Sequence, residues 1–304
     1  MAKWAAVDVP DLSGRTAVVT GSSAGLGLET ARVLAAHGAT VVLACRDSAK
    51  GEAAARTMSG AKTRVVEVDL ASLASVRKAA ETIRLTCPRL DLLINNAGVM
   101  QVPFQLTEDG FELTFGVNHL GHFALTGLLL PHLLRTPGSR VVTVTSNAHR
   151  RGRLDLDPNE AYEPGSAYDR SKLANLLFAY ELHHRLQASG AGTASLAAHP
   201  GNARTALWAT SSRLERVLIG PALRPFTFWL VQGARRGALP QLRAATDIDA
   251  RGGECYGPDG WFQYVGSPVR VQTSPDSYDR DAASRLWRLS EQLTDVEYSF
   301  PVNR

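Results

Sequence analysis

A chain of 304 residues, 44% hydrophobic and 20% charged, with no long polar tract, carries enough apolar surface to build a sizeable core, which excludes intrinsic disorder. Its 33 basic and 29 acidic side chains leave a net charge of +4 spread along the sequence, without the clustered basic stripe that marks a nucleic-acid partner. Three cysteines, Cys45, Cys87 and Cys255, lack CxxC spacing, and residues 1–12 show no signal-peptide pattern, so a reduced, cytoplasmic setting is expected.

From Thr16 onward one unit repeats: a short β-branched run, a turn, then a helical pattern. Residues 16–20, 40–45, 64–68, 92–94, 140–145 and 193–198 are continuous apolar runs of strand length, as in strands buried on both faces of a parallel sheet. Between them the spacing predicts helices over 26–37, ending before Gly38, and over 72–85, opening on Ser72 as N-cap. Two longer helices follow, over 108–134, which Pro131 should kink or break, and over 167–188. The apolar runs 123–134 and 217–231 fall short of the roughly 20 residues that cross a bilayer, so no membrane span is expected. This alternation predicts a doubly wound α/β fold, three layers deep, formed by one domain over 1–304. The stretch 203–236 interrupts the rhythm and is expected to be an insertion that lids the substrate. Residues 252–304, Gly-rich at 252–260 and closing on a helix near 282–293, are expected to be a C-terminal extension that decorates the sheet.

Thr20-Gly21-Ser22-Ser23-Ala24-Gly25-Leu26-Gly27 joins the first strand to the first helix. Its Gly-x3-Gly-x-Gly spacing lets the backbone approach a pyrophosphate at a helix N-terminus, where free N–H groups and the helix dipole favour anions. A tight turn needing positive φ would use the same glycines. Gly21 to Gly25 also matches G-x-S-x-G, a hydrolase nucleophile elbow on Ser23, but an elbow draws its oxyanion loop from an earlier strand and here the strand is the first. Arg46 follows directly on the second strand, where an acidic residue would bind a ribose 2′-hydroxyl and an arginine suits a 2′-phosphate, so NADP(H) is expected. Tyr168 and Lys172 lie four apart on one helix face, which lets an ammonium stabilise a phenolate. Ser146, Asn118 and Asn95-Asn96-Ala97-Gly98 follow strands or lie on helices after them, at the end of an open sheet that binds ligands. The His119/His122 and His183/His184 pairs lack the acidic partners of a metal site, and no metal is expected.

Together the Thr-Gly-x3-Gly-x-Gly turn, Asp69-Leu70, Asn95-Asn96-Ala97-Gly98, Asn118, Ser146, Tyr168-x3-Lys172 and Pro200-Gly201-x3-Thr205 resemble the short-chain dehydrogenase/reductase superfamily, with its Rossmann-type fold. Leu43-Ala44-Cys45-Arg46-Asp47, Asn118-His119-Leu120-Gly121-His122-Phe123 and Ser146-Asn147-Ala148-His149 resemble its retinol dehydrogenase branch and bacterial relatives. The resemblance implies that Gly21, Ser23, Gly25, Leu26 and Gly27 bind the pyrophosphate and Arg46 the 2′-phosphate. It assigns Asp69 and Leu70 to the adenine, Asn96, Ala97 and Gly98 to the adenosine side, and Pro200, Gly201 and Thr205 to the nicotinamide end. Tyr168 is then the general acid/base, Lys172 holds the nicotinamide ribose and lowers the phenol's pKa, Ser146 polarises the substrate oxygen, and Asn118 anchors a relay water.

The gap from Ser146 to Tyr168 is longer than the family's usual one, so 152–165 is expected to loop out near the pocket. The N-terminal anchor of many vertebrate retinol dehydrogenases is not seen, which points to a soluble relative, a monomer or homodimer. Apolar residues after Thr205, with Trp208, Phe226 and Phe228 as pocket candidates, suggest a bulky lipophilic carbonyl or alcohol substrate. A dehydratase or epimerase on the same fold, or an NADP(H)-sensing binding protein, are the alternatives.

Overall fold

The computed structural model describes residues 3–154, 161–202 and 232–301. Six parallel strands stand where the apolar runs place them: β1 (Thr16–Thr20), β2 (Thr40–Cys45), β3 (Thr63–Glu67), β4 (Leu92–Asn95), β5 (Arg140–Val144) and β6 (Ala194–Ala198). To these the chain adds β7 (Cys255–Pro258), parallel to β6, and β8 (Pro268–Val271), antiparallel to β7. The order β3-β2-β1-β4-β5-β6-β7-β8 reverses between β1 and β4, and at such a switch point the strand ends open a crevice.

Strand alternation sends successive side chains to opposite faces, and each face carries its own core. Val18, Val42 and Leu93 join helices α3 (Leu73–Thr86), α4 (Leu113–Leu134) and α5 (Pro164–Ala188) on one side. Val19, Leu43 and Ile94 join α1 (Gly25–Ala36), α2 (Ser48–Arg56) and α6 (Leu239–Thr246) on the other. Helix α7 (Arg280–Thr294) lies outside α5, with Trp287 stacked on Phe178 at 5.9 Å between centroids. The tail beyond it crosses α4, where Tyr298 donates its hydroxyl to Phe123 O at 2.6 Å.

Four expectations change. Residues 252–304 do not merely decorate the sheet: they supply β7, β8 and α7, because the edge of β6 offers unpaired N–H and C=O groups that another strand can take up. Helix α2 was not expected; Asp47 starts it by accepting from Lys50 N at 3.0 Å. The helix expected from 108 begins at Leu113, capped by Glu112, and Pro131 neither ends nor breaks it before Leu134, since a helix buried nearly all round is held by packing despite one lost bond. Its 22 residues are long and apolar enough to cross a membrane, more than the 123–134 run implied, yet most of them are buried within the protein.

Candidate active site

At the switch point the β1–α1 turn is shaped by steric necessity. Gly21 and Gly25 sit at φ +65° and +60°, and a Cβ on Gly27 would lie 2.5 Å from Gly21 O and 2.6 Å from Asn96 Nδ2. No side chain caps α1, whose N-cap is Ala24. Every other described helix of nine residues or more is capped, by Asp47, Ser72, Glu112, Glu163 or Asp279. The orphan N–H groups of α1 therefore open onto a cavity of about 460 Å³, an arrangement that suits an anion. Gly21, Ser23, Gly25, Leu26, Gly27, Arg46, Asp69, Leu70, Asn96, Ala97 and Gly98 all line this cavity. The nucleophile-elbow reading of Ser23 finds no support, since the buried histidines are engaged elsewhere: His119 with Ser290, His122 with Thr20, His132 with Cys87, His149 with Ser146 and His199 with Gln263.

At the end of β2 the Asp47 carboxylate is committed to α2, pairing with Lys50 Nζ at 3.2 Å, and the Lys50 hydrogen bonds hold its pKa below the usual carboxylate range. Arg46 is exposed and lines the cavity. Lys50, which the sequence motifs do not single out, lines it too; its position one helical turn after Arg46 is the signal that could have found it. Asn96 uses its amide inside the protein, donating to Thr20 O at 2.8 Å and accepting from Gln241 Nε2 at 3.2 Å.

Around β5 and α5 the chemistry-bearing side chains converge. Ser146 caps a short turn after β5, accepting from Ala148 N at 3.3 Å, and its hydroxyl is near enough to the Tyr168 phenol to favour the phenolate. One turn along α5, Lys172 Nζ lies 5.5 Å from the Tyr168 ring centroid and donates to Val144 O at 3.3 Å. Asn118 stands in a π-helical turn, Gly116–Leu120, a distortion often found at functional sites. Its side chain is clamped on both sides, Oδ1 accepting from Val99 N at 2.8 Å while Nδ2 lies 3.0 Å from Val99 O and 2.9 Å from Ser171 Oγ. Arg151 pairs with Asp169 at 2.8 Å, tying the start of the 152–165 segment to α5. Burial pushes the Tyr168 phenol up to about 12, against the pull of the Ser146 hydroxyl, and pushes Lys172 down to about 8. In this arrangement desolvation therefore outweighs the expected lowering of the phenol by Lys172, whose ammonium is itself buried and bonded to Val144.

Beyond β6, Gly201 adopts φ +60°, where a Cβ would run into Tyr264 O, and Pro200 O accepts from Gln232 Nε2 at 2.7 Å. Thr205, Trp208, Phe226 and Phe228 lie outside the described residues. Among the described residues no group of three His, Cys, Asp or Glu side chains gathers in a metal-binding cluster.

The profile of the short chain dehydrogenase family matches residues 15–215, which hold the glycine turn, Asn118, Ser146, Tyr168 and Lys172. The chain belongs to the short-chain dehydrogenase family. Its similarity to retinol dehydrogenase 13 of Mus musculus is 39% identity over 94% of this chain and 85% of the relative, and to human retinol dehydrogenase 12 it is 41% over 94% and 88%. Among solved structures, an uncharacterised protein from Mycobacterium paratuberculosis superposes with a TM-score of 0.82 at 44% identity, covering 98% of this chain and all of the other. The Pseudomonas aeruginosa RhlG/NADP active-site complex gives 0.68 at 25% identity, covering 83% and 98%. This short-chain dehydrogenase is thus an oxidoreductase of the retinol dehydrogenase-like branch, in a family that binds a nicotinamide cofactor. The uncapped α1 and the glycine turn fit the pyrophosphate of such a cofactor.

Proposed function

We propose that this short-chain dehydrogenase interconverts a carbonyl and an alcohol on a bulky lipophilic substrate, using NADP(H). The observation that carries the reading is the gathering of Ser146 and Lys172 about the Tyr168 phenol, beside the cavity that fits a dinucleotide. NADPH, when bound, supplies the hydride that reduces the carbonyl carbon, and NADP+ accepts it in the reverse direction. Ser146 and Tyr168 hydrogen-bond the substrate oxygen, and Tyr168 gives it a proton as the carbonyl becomes an alcohol or removes that proton in oxidation. A phenol held near 12 is fully protonated at neutral pH, which suits the donor role in reduction. Lys172 holds the cofactor ribose and, once its charge faces the phenol, offsets part of the desolvation that raises it.

Two observations support NADP(H) over NAD(H). Arg46 and Lys50 line the cavity at the end of β2, and Asp47, the carboxylate next to Arg46 in the chain, is consumed in capping α2. The likeness to an NADP complex of RhlG adds to this. A lipophilic substrate is favoured by the apolar residues that follow the Pro200-Gly201 turn in sequence and by the retinol in the names of the relatives. The three free, buried cysteines fit a cytoplasmic enzyme. The test is a panel of aldehydes, ketones and quinones offered with NADPH or NADH while reduced nicotinamide is followed by absorbance. Turnover of large apolar carbonyls with NADPH is expected. Binding without turnover would overturn the reading in favour of a nucleotide-sensing protein.

A further inference from the structure

We propose that His122 is a positioning residue: its imidazole ties the turn that cradles the nucleotide to the main-chain carbonyl of Asn118, so that the cofactor site and the catalytic π-turn adjust together. The inference rests on the reading of Asn118 as part of the catalytic machinery.

His122 is fully buried in α4. Its Nδ1 lies 3.1 Å from Asn118 O and its Nε2 2.9 Å from Thr20 Oγ1. A carbonyl oxygen can only accept, so Nδ1 carries the proton. Burial pushes the imidazole down to about 4, aided by the nearby Lys172 charge, so the ring is neutral near pH 7 and Nε2 must accept. Its donor is the Thr20 hydroxyl. The two lone pairs of that hydroxyl are in turn filled by Asn96 N at 2.9 Å and Ala97 N at 3.0 Å. Had Nε2 carried the proton, Thr20 Oγ1 would face three donors and Nδ1 would oppose the Asn118 oxygen lone pair to lone pair. One direction of bonding therefore satisfies every group, running from the Asn96 and Ala97 amides through Thr20 and His122 to Asn118 O. The hydroxyl's other acceptor, Ile94 O, is farther away at 3.3 Å.

Both ends of this chain face the site. Asn96 and Ala97 line the nucleotide cavity. Asn118 sits in the π-turn, where Gly121 N bonds Gly116 O five residues back, and the His122 side chain donates to the Asn118 carbonyl. The Asn118 side chain and the Lys172 ammonium also converge on Gly98, where a Cβ would lie 3.0 Å from Asn118 Oδ1 and 3.5 Å from Lys172 Nζ. A shift of the Asn118 backbone is therefore felt where Lys172 meets the cofactor side of the cleft.

The test begins with the wild-type chain, 15N-labelled at histidine, without cofactor or substrate. NMR should show His122 as the Nδ1–H tautomer near neutral pH, and an Nε2–H tautomer or an imidazolium would overturn the proposal. His122→Phe keeps a buried ring and removes both bonds, and Thr20→Val removes the hydroxyl. Each should weaken NADP(H) binding and lower kcat, on the order of tenfold. The double variant should be little worse than the worse single one, and Thr20→Ser should restore the parent values, which a merely space-filling role for His122 would not produce. Multiplicative effects, or no rescue by serine, would overturn the coupling. If a variant binds no nucleotide, the same cycle is read from unfolding midpoints, where additivity counts against the proposal. Because the tautomer is read without turnover, an enzyme that reduces none of the carbonyls offered would defeat the redox reading while leaving this one standing.

Discussion

His149 grips the main-chain oxygen of Ser146 through Nδ1 at 2.6 Å, while its Nε2 accepts the Ser274 N–H at 3.2 Å. A backbone N–H can only donate and a carbonyl only accept, so the ring is the Nδ1–H tautomer and has no freedom to turn. Through it the segment after β8 fixes the backbone of the serine whose hydroxyl acts on the Tyr168 phenol.

Replacing His149 by Phe should cost stability as well as activity. The change leaves the Ser274 N–H unsatisfied in the interior, a loss of roughly 1–3 kcal/mol, while Ser146 O keeps only its bond from His149 N at 3.1 Å. Denaturant unfolding should show a fall of this size together with a reduced kcat. Unchanged turnover in a destabilised protein would mean that Ser146 keeps its place without the imidazole.

Tyr168→Phe keeps the ring and removes only the hydroxyl. Turnover should fall by on the order of 10² to 10⁴, while cofactor affinity stays within a few-fold. Nucleotide titration followed by protein fluorescence, beside steady-state rates, separates the two, and retained activity would remove Tyr168 from the proton transfer.

Cofactor preference should rest on two cations. Arg46→Ala should weaken NADPH binding by roughly 1.5–3 kcal/mol, one to two decades, through loss of a charge-assisted contact, and leave NADH binding nearly unchanged. Lys50→Ala should act in the same direction and more weakly, because its ammonium also pairs with Asp47. Calorimetric Kd values for both cofactors check this; an equal loss for NADPH and NADH would show that neither side chain meets the 2′-phosphate.

Acid should unfold the protein from a defined pH downward. Burial holds His122 and His149 down to about 4 and His119 and His199 down to about 3, against an unfolded value of 6.5. Below 6.5 the unfolded chain takes up protons that the folded one refuses, so stability is complete above 6.5 and is lost as the pH falls toward 4 and then 3. Four such groups amount to several kcal/mol, on the order of a domain's whole net stability. Urea midpoints from pH 7 to 4 should fall steadily, and a flat profile over 6.5 to 4.5 would show that the histidines are charged in the native state. At the alkaline end Lys172, held at about 8 against 10.5, should make stability rise with pH between those values.

The six central strands, the glycine turn, Ser72 as an N-cap and the Tyr168-x3-Lys172 pair were legible because each is written in neighbouring residues: an apolar run of strand length, positive φ at glycine, a side chain that bonds its own helix, a one-turn spacing. What the tertiary structure alone decided depends on partners far along the chain. Strands β7 and β8 are four residues each and include Pro258 and Pro268, so their propensity is weak and pairing on the β6 edge makes them strands. The π-turn at Asn118 has the composition of an ordinary helix, Gln241 reaches Asn96 over 145 residues, and Ser274 reaches His149 over 125. The height of the Tyr168 pKa was equally hidden. Sequence spacing brings a cation to the phenol, but burial, which only the folded chain creates, has the stronger influence, and it drives the phenol up rather than down.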